Sequence, residues 1–150
     1  MREILFRGFH RDENGTKKAF VNGEWVKGFW IYGNLLIDND KYCYIIPFEN
    51  VDYDFGYLDS CEVFNVISKT VGQCTVLKDK NGKKIFEGDV CNYGDYVGVI
   101  SFDEDECKFI LTYDETDITD FSCIWGKELE VIGNIFENPE LFGGKINGRT

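Results

Sequence analysis

A mainly β chain of two small packed lobes, the second a barrel-like or SH3-like meander with little helix, is predicted by three observations. Aromatic residues are plentiful, with 13 Phe, 8 Tyr and 3 Trp against a single Met, and such flat side chains suit pleated, half-buried surfaces better than helices. Sixteen glycines stand against two prolines, which fits many tight turns that use the positive φ glycine tolerates. Apolar residues come in short runs between turn signals, and the five runs after residue 76 have the spacing of a small barrel. With 150 residues, 43% of them hydrophobic, the chain can bury a core. The lobes are assigned to residues 1–76 and 77–150, with no Ser/Pro/Gly-rich linker between them.

Taken in order, Ile4–Arg7 reads as a brief first strand and Asp12–Lys17 as a turn centred on Asn14-Gly15. Glu24–Tyr32 is a long aromatic strand, with Gly28 placed for a kink or bulge because it lacks a Cβ. Asp38–Lys41 is a turn and Lys41–Pro47 a strand, whereas Phe48–Asp59 is acidic, aromatic and irregular. Cys61–Lys69 alternates as a strand whose buried members are Val63, Val66 and Ile67. Asp79–Gly82 is a turn whose Asn-Gly pair accepts the left-handed conformation. Short strands follow at Lys83–Phe86, Val90–Tyr93, Tyr96–Phe102 and Lys108–Tyr113, separated by Glu87–Asp89, Gly94-Asp95 and an acidic turn. Thr116–Trp125 is the one segment offered for a longer helix, and its amphipathic periodicity is weak. Leu129–Phe136 is the last strand, and Pro139 suits the first turn of a short terminal helix.

Four of these stretches occur in a recognisable order: GEWVKG at Gly23–Gly28, YCYIIPF at Tyr42–Phe48, GQCTVLKDKNGKKIFEGD at Gly72–Asp89 and VIGNIFENPELF at Val131–Phe142. With ILFRG at Ile4–Gly8 they resemble the YopX family, small proteins encoded by phages and prophages of mainly Gram-positive bacteria. That family is of uncharacterised function. The resemblance therefore implies an origin and a mostly β fold with barrel-like parts, and no activity. Tyr is usual in the family where this chain has Cys74, which argues against Cys74 as a nucleophile.

The residues point away from catalysis. His10 is the single histidine, which removes two-histidine metal sites, and it reads as a solvated residue beside a turn. None of Ser60, Ser68, Ser101 and Ser122 lies in a G-x-S-x-G elbow. The six cysteines are evenly scattered without a CxxC pair, and no apolar leader precedes them, since Glu3 and Arg7 interrupt one. They are read as reduced structural thiols, with Cys43, Cys74, Cys91 and Cys107 among apolar neighbours, in a soluble cytoplasmic protein. No enzyme activity and no cofactor are expected.

Charge is the other signal. Residues 103–140 carry twelve acidic side chains and two basic ones, a net −10 of the chain's −11. Asp103, Glu104, Asp105, Glu106, Asp114, Glu115 and Asp117 form an acidic candidate surface. It reads as a solvated face, a weak cation site without the EF-hand pattern, a metal-dependent hydrolase centre, or a mimic of DNA phosphates that occupies a basic groove. Lys78, Lys80, Lys83 and Lys84 make a basic hairpin tip that offers a weak nucleic-acid contact, although the overall charge makes direct nucleic-acid binding an unfavoured reading. Phe29, Trp30, Tyr32 and Tyr96 are candidates for an aromatic interface. The leading expectation is a phage accessory protein that binds an unknown protein or itself, with no membrane segment.

Overall fold

The computed structural model describes residues 4–47, 63–113, 118–120 and 128–141, with residues 118–120 described as backbone alone. The described residues are mainly β, with twelve strands among them, all paired antiparallel. Two compact units divide the chain, Met1–Gln73 and Cys74–Thr150.

The first unit contains β1 (Phe6–Arg11), β2 (Lys17–Val21), β3 (Glu24–Ile37), β4 (Cys43–Pro47) and β5 (Phe64–Val66). A 3₁₀ turn at Ser68–Thr70 and the first residues of β6 (Gly72–Lys78) complete it. The 14-residue β3 is the spine. Its start, Glu24–Gly28, pairs with β2, its middle, Gly28–Gly33, with β1, and its end, Gly33–Ile37, with β4. Arg11 and Lys17 both stand opposite Gly28, so the chain between them is looped out. Asp12–Lys17 does contain a turn, with Gly15 N–H bonded to Asp12 O at 2.9 Å, but the chain leaves it in the direction in which it entered. Asp12 N–H bonds Lys27 O at 2.9 Å, its Oδ1 accepts Asn14 N–H, and Gly15 packs directly on the Gly28 backbone. A Cβ on Gly28 would lie 1.9 Å from His10 O, so glycine alone permits this junction.

The true reversal is Asn22-Gly23, with φ of 54° and 85°, a two-residue turn of the primed type that matches the twist of a hairpin. Lys17–Val21 is the strand that the turn creates. The face of β3 bearing Ile31 packs with Cys43, Ile45 and Val66, bordered by Phe6, Phe29, Leu35, Phe64 and Val71. This sheet curls. Ile67 N–H donates to Phe9 O at 2.9 Å, tying the chain after β5 back to β1, and Val66 crowds the space where a Cβ on Gly8 would be. Val66 is buried as its alternation predicts, but Val63 is half exposed, because the strand is confined to Phe64–Val66.

The second unit has the rest of β6, then β7 (Lys84–Phe86), β8 (Asp89–Tyr93), β9 (Tyr96–Asp103), β10 (Lys108–Thr112), β11 (Ile118–Asp120) and β12 (Glu130–Asn134). Strands β8 to β11 form a meander and β12 returns beside β8, in the order β11-β10-β9-β8-β12. Ile85, Cys91, Ile100, Leu111 and Leu129 are its buried centre. Ile118–Asp120 is a strand paired with β10, so the helix considered over Thr116–Trp125 is corrected there. Its three residues alternate poorly as a helix because they extend the meander by one more pairing. Pro139 opens a single helical turn over residues 139–141, with Leu141 N–H bonded to Asn138 O at 3.1 Å. The Phe48–Asp59 segment lies outside the described residues.

Candidate functional site

Three aspartates, the candidate Asp103 among them, are turn hubs. Asp79 is 6% exposed. Its Oδ1 accepts Asn81 N–H and Lys83 N–H, each at 2.9 Å, and its Oδ2 accepts Val131 N–H at 2.9 Å. Its own N–H donates to Lys83 O, and Gly82 takes the left-handed position, φ 85°. Burial raises the carboxyl's pKa, but the bonds from Val131, Lys83 and Asn81, with the Lys83 charge, outweigh it and hold the group below its ordinary 3.8. Asp38 repeats the device between β3 and β4, accepting Asp40 N–H and Tyr42 N–H at 2.9 Å with Lys41 left-handed at φ 67°. Asp103 does so between β9 and β10, accepting Asp105 N–H at 3.0 Å and Glu106 N–H at 3.3 Å, with Cys107 at φ 55°. Fully buried Asp89 accepts Phe86 N–H at 2.8 Å and pins the tight turn ahead of β8.

The acidic run is thus a hairpin tip. Asp103 faces its own turn, Glu106 reaches Lys108 at 3.3 Å, and Glu104 and Asp105 are exposed. Asp114, Glu115 and Asp117 lie outside the described residues. Among the described residues, no three His, Cys, Asp or Glu side chains converge as a metal ion would need. Cys43, Cys74 and Cys91 are buried, and burial, then Asp38, raises the pKa of Cys43. Cys107 is a correction to the buried-thiol reading: it is exposed, because the turn places it at the hairpin corner. Cys61 and Cys123 lie outside the described residues.

His10 is also corrected. It belongs to β1, half-buried between the rings of Phe29 and Phe64 at 5.2 and 5.1 Å, and its Nδ1 lies 2.7 Å from Asn65 O. A carbonyl only accepts, so Nδ1 carries the proton.

The aromatic candidates do not form one surface. Phe29 faces the His10 and Phe64 cluster, whereas its neighbour Trp30 faces the opposite side, edge-on to Phe9 at 5.2 Å with the Arg7 guanidinium 4.9 Å from its ring centroid. Tyr32 shares the Trp30 side and is exposed. Tyr96 belongs to the second unit, beside Tyr113 at 5.3 Å. The four lysines Lys78, Lys80, Lys83 and Lys84 are exposed around the β6–β7 turn, with Lys80 3.7 Å from Glu130.

A different surface appears on the β3–β4 hairpin. Tyr32 and Leu36 point outward with half-buried Ile46 and Tyr44, which stand opposite Asn34 and Leu36. Ile37 and Tyr42 stand at the hairpin's end. Tyr32, Leu36, Ile37 and Tyr42 are between 44% and 65% exposed. The signal in the sequence was the run Leu35-Leu36-Ile37: on a strand, three apolar residues in a row put at least one on the outer face. Among the described residues, no helix is long and apolar enough to cross a membrane.

The model of the YopX protein family matches residues 6–143. The chain belongs to the YopX family. No curated protein matches it.

Proposed function

We propose that this member of the YopX family is a phage- or prophage-encoded accessory protein that acts by binding another protein and catalyses no reaction. The observation that carries the reading is the outward apolar face of the β3–β4 hairpin, where Tyr32 and Leu36 are exposed on paired strands, with Ile37 and Tyr42 exposed at the hairpin's end. Aromatic and aliphatic anchors of this kind dominate the energetics of protein interfaces. The fixed hairpin limits the ordering cost of binding. Support also comes from the carboxylates: Asp38, Asp79, Asp89 and Asp103 are engaged by backbone donors. Each is a turn-former first, which leaves the apolar face as the better binding feature of the described surface.

The test is photo-cross-linking. A benzophenone amino acid at Leu36 is expected to yield a defined adduct with one host or phage protein in cell lysate, lost on competition with unlabelled chain but retained on competition with a Tyr32→Ser, Leu36→Ser chain. The same probe at Lys84 serves as the control. A Leu36 probe that gives the same adducts as the Lys84 probe would remove this face from consideration. An adduct consisting of two copies of the chain would identify the partner as the protein itself.

A further inference from the structure

The β2–β3 ribbon carries a second surface, with a different chemistry. Register places Lys18 directly opposite Lys27 and Phe20 directly opposite Trp25, so these four side chains share one face. Phe20 and Trp25 are 38% and 51% exposed, with rings 5.2 Å apart, and both lysines are exposed. Like charges facing each other across a ladder work against the pairing. A hairpin selected for stability alone would place a carboxylate at one of the two positions. The hairpin's own carboxylate, Glu24, lies on the opposite face and is 3.6 Å from Arg11. A third cation joins the ribbon at its tip, where the Lys69 ammonium donates to Asn22 Oδ1 at 2.6 Å.

We propose that this ribbon binds single-stranded nucleic acid, with bases stacking on Trp25 and Phe20 and phosphates meeting Lys18, Lys27 and Lys69. Aromatic platforms flanked by cations are how sequence-tolerant single-strand binding works, because every base has a π face and every nucleotide a phosphate. The occupant follows from complementarity: a cationic face rejects basic peptides, and two exposed rings ask for planar partners. The chain's net charge of −11 opposes an anionic ligand at long range. However, screening confines that opposition to roughly 8 Å at physiological ionic strength. Apart from Glu24 on the opposite face, Asp12 and Glu13, in the loop beside Lys27, are the nearest carboxylates in sequence, and Asp12 is bound into that loop. Binding is therefore expected to be weak and steeply salt-dependent. With two or three phosphates neutralised and a slope of roughly −0.7 each, raising salt from about 25 to about 150 mM should weaken binding by about 10–40-fold.

The experiment is fluorescence anisotropy of a labelled oligothymidylate of about 15 nucleotides titrated with the whole chain, against a duplex of equal length. The single strand is expected to bind more tightly than the duplex. Trp25→Phe, which keeps a ring, should stay within about threefold of the natural chain. Trp25→Leu, which keeps the apolar contact with Phe20 but removes the π face, should bind at least about tenfold more weakly, a change of about 1.4 kcal/mol. Lys18→Glu with Lys27→Glu should abolish binding at low salt, whereas Lys83→Gln with Lys84→Gln should leave it within twofold. Circular dichroism confirms that each variant is folded. Absence of oligonucleotide binding at about 25 mM salt overturns the proposal and returns this face to protein recognition. So does equal binding by Trp25→Leu and Trp25→Phe, or loss of binding in the Lys83 and Lys84 variant alone. None of these outcomes bears on the β3–β4 face, so the two readings stand or fall separately.

Discussion

Replacing Asp79 with alanine removes the acceptor of three backbone N–H groups, those of Asn81, Lys83 and Val131, all at 2.9 Å. The three losses are unequal. Asn81 and Lys83 lie on an exposed turn, so their N–H groups regain water and the cost is the difference between a charge-assisted bond and a hydrated one. Val131 is half-buried in β12, and its N–H would be left without an acceptor. A hydrogen bond to a charged group contributes about 1.5–3 kcal/mol, and an orphaned buried donor costs about 1–3 kcal/mol. The expected destabilisation of the second unit is about 3–5 kcal/mol, a large share of the roughly 5–15 kcal/mol that holds a domain folded. Asp79→Asn keeps one oxygen acceptor but turns an NH₂ toward one of the donors, so it should cost less, about 2 kcal/mol.

Urea denaturation followed by hydrogen exchange reads the effect by unit. With a slope of about 2 kcal/mol per molar, the alanine variant's midpoint in the second unit should fall by roughly 2 M, and the asparagine variant's by roughly 1 M. Amides of the first unit should keep their protection. Asp105→Asn, at the exposed β9–β10 tip, should be almost silent. The reasoning fails if Asp79→Ala is as stable as the natural chain within about 0.5 kcal/mol. It also fails if the asparagine variant is the worse of the two, because acceptor number would then not be what matters.

Two other expectations follow from the same unit. Since the folded-state pKa of Asp79 lies below its ordinary 3.8, its contribution to stability is complete above that value and is lost as pH falls through the depressed one. Urea midpoints between pH 5 and 2 should therefore decline less steeply in Asp79→Asn than in the natural chain. Val76 sits at φ 79° where the β6–β7 register shifts, and its side chain is half exposed. A β-branched residue in that region carries strain of about 1–3 kcal/mol. Val76→Gly should therefore raise stability by about 1 kcal/mol despite glycine's larger unfolded-state entropy, and a loss of more than about 0.5 kcal/mol would contradict the account.

Much of this architecture was legible in the sequence because its turns are written in local chemistry. Asp38, Asp79 and Asp103 each bind nearby N–H groups within four residues, and such short-range hubs are readable without knowing the fold. The first unit was less legible where geometry is long-range. Asn14-Gly15 and Asn22-Gly23 are equally good turn signals. Only the pairing of Arg11 and Lys17 with the same Gly28 makes the first a loop-out and the second a hairpin. The setting of His10 is illegible for the same reason: the rings it touches, Phe29 and Phe64, are 19 and 54 residues away. Of the candidate interface residues, the strand's period of two sends Phe29 to one face and Trp30 and Tyr32 to the other, where Trp30 packs on buried Phe9 and Tyr32 alone is well exposed.

The charge distribution gains a different meaning from these placements. A chain with 27 acidic residues invites a functional reading of its carboxylates. Yet the carboxylates that are best fixed are the ones that shape turns, and in the acidic run the exposed Glu104 and Asp105 stand at a hairpin tip. Fixed position and free valence are what a site needs together, and in these acids the two properties are separated. They coincide instead on two hairpin faces of the first unit. The β3–β4 face holds Tyr32 and Leu36 on paired strands, and the β2–β3 face holds Phe20, Trp25, Lys18 and Lys27 in a register set by the Asn22-Gly23 turn. Both faces depend on the single long strand β3, so a change at Gly28, where the strand passes from one partner to the other, would disturb both surfaces at once.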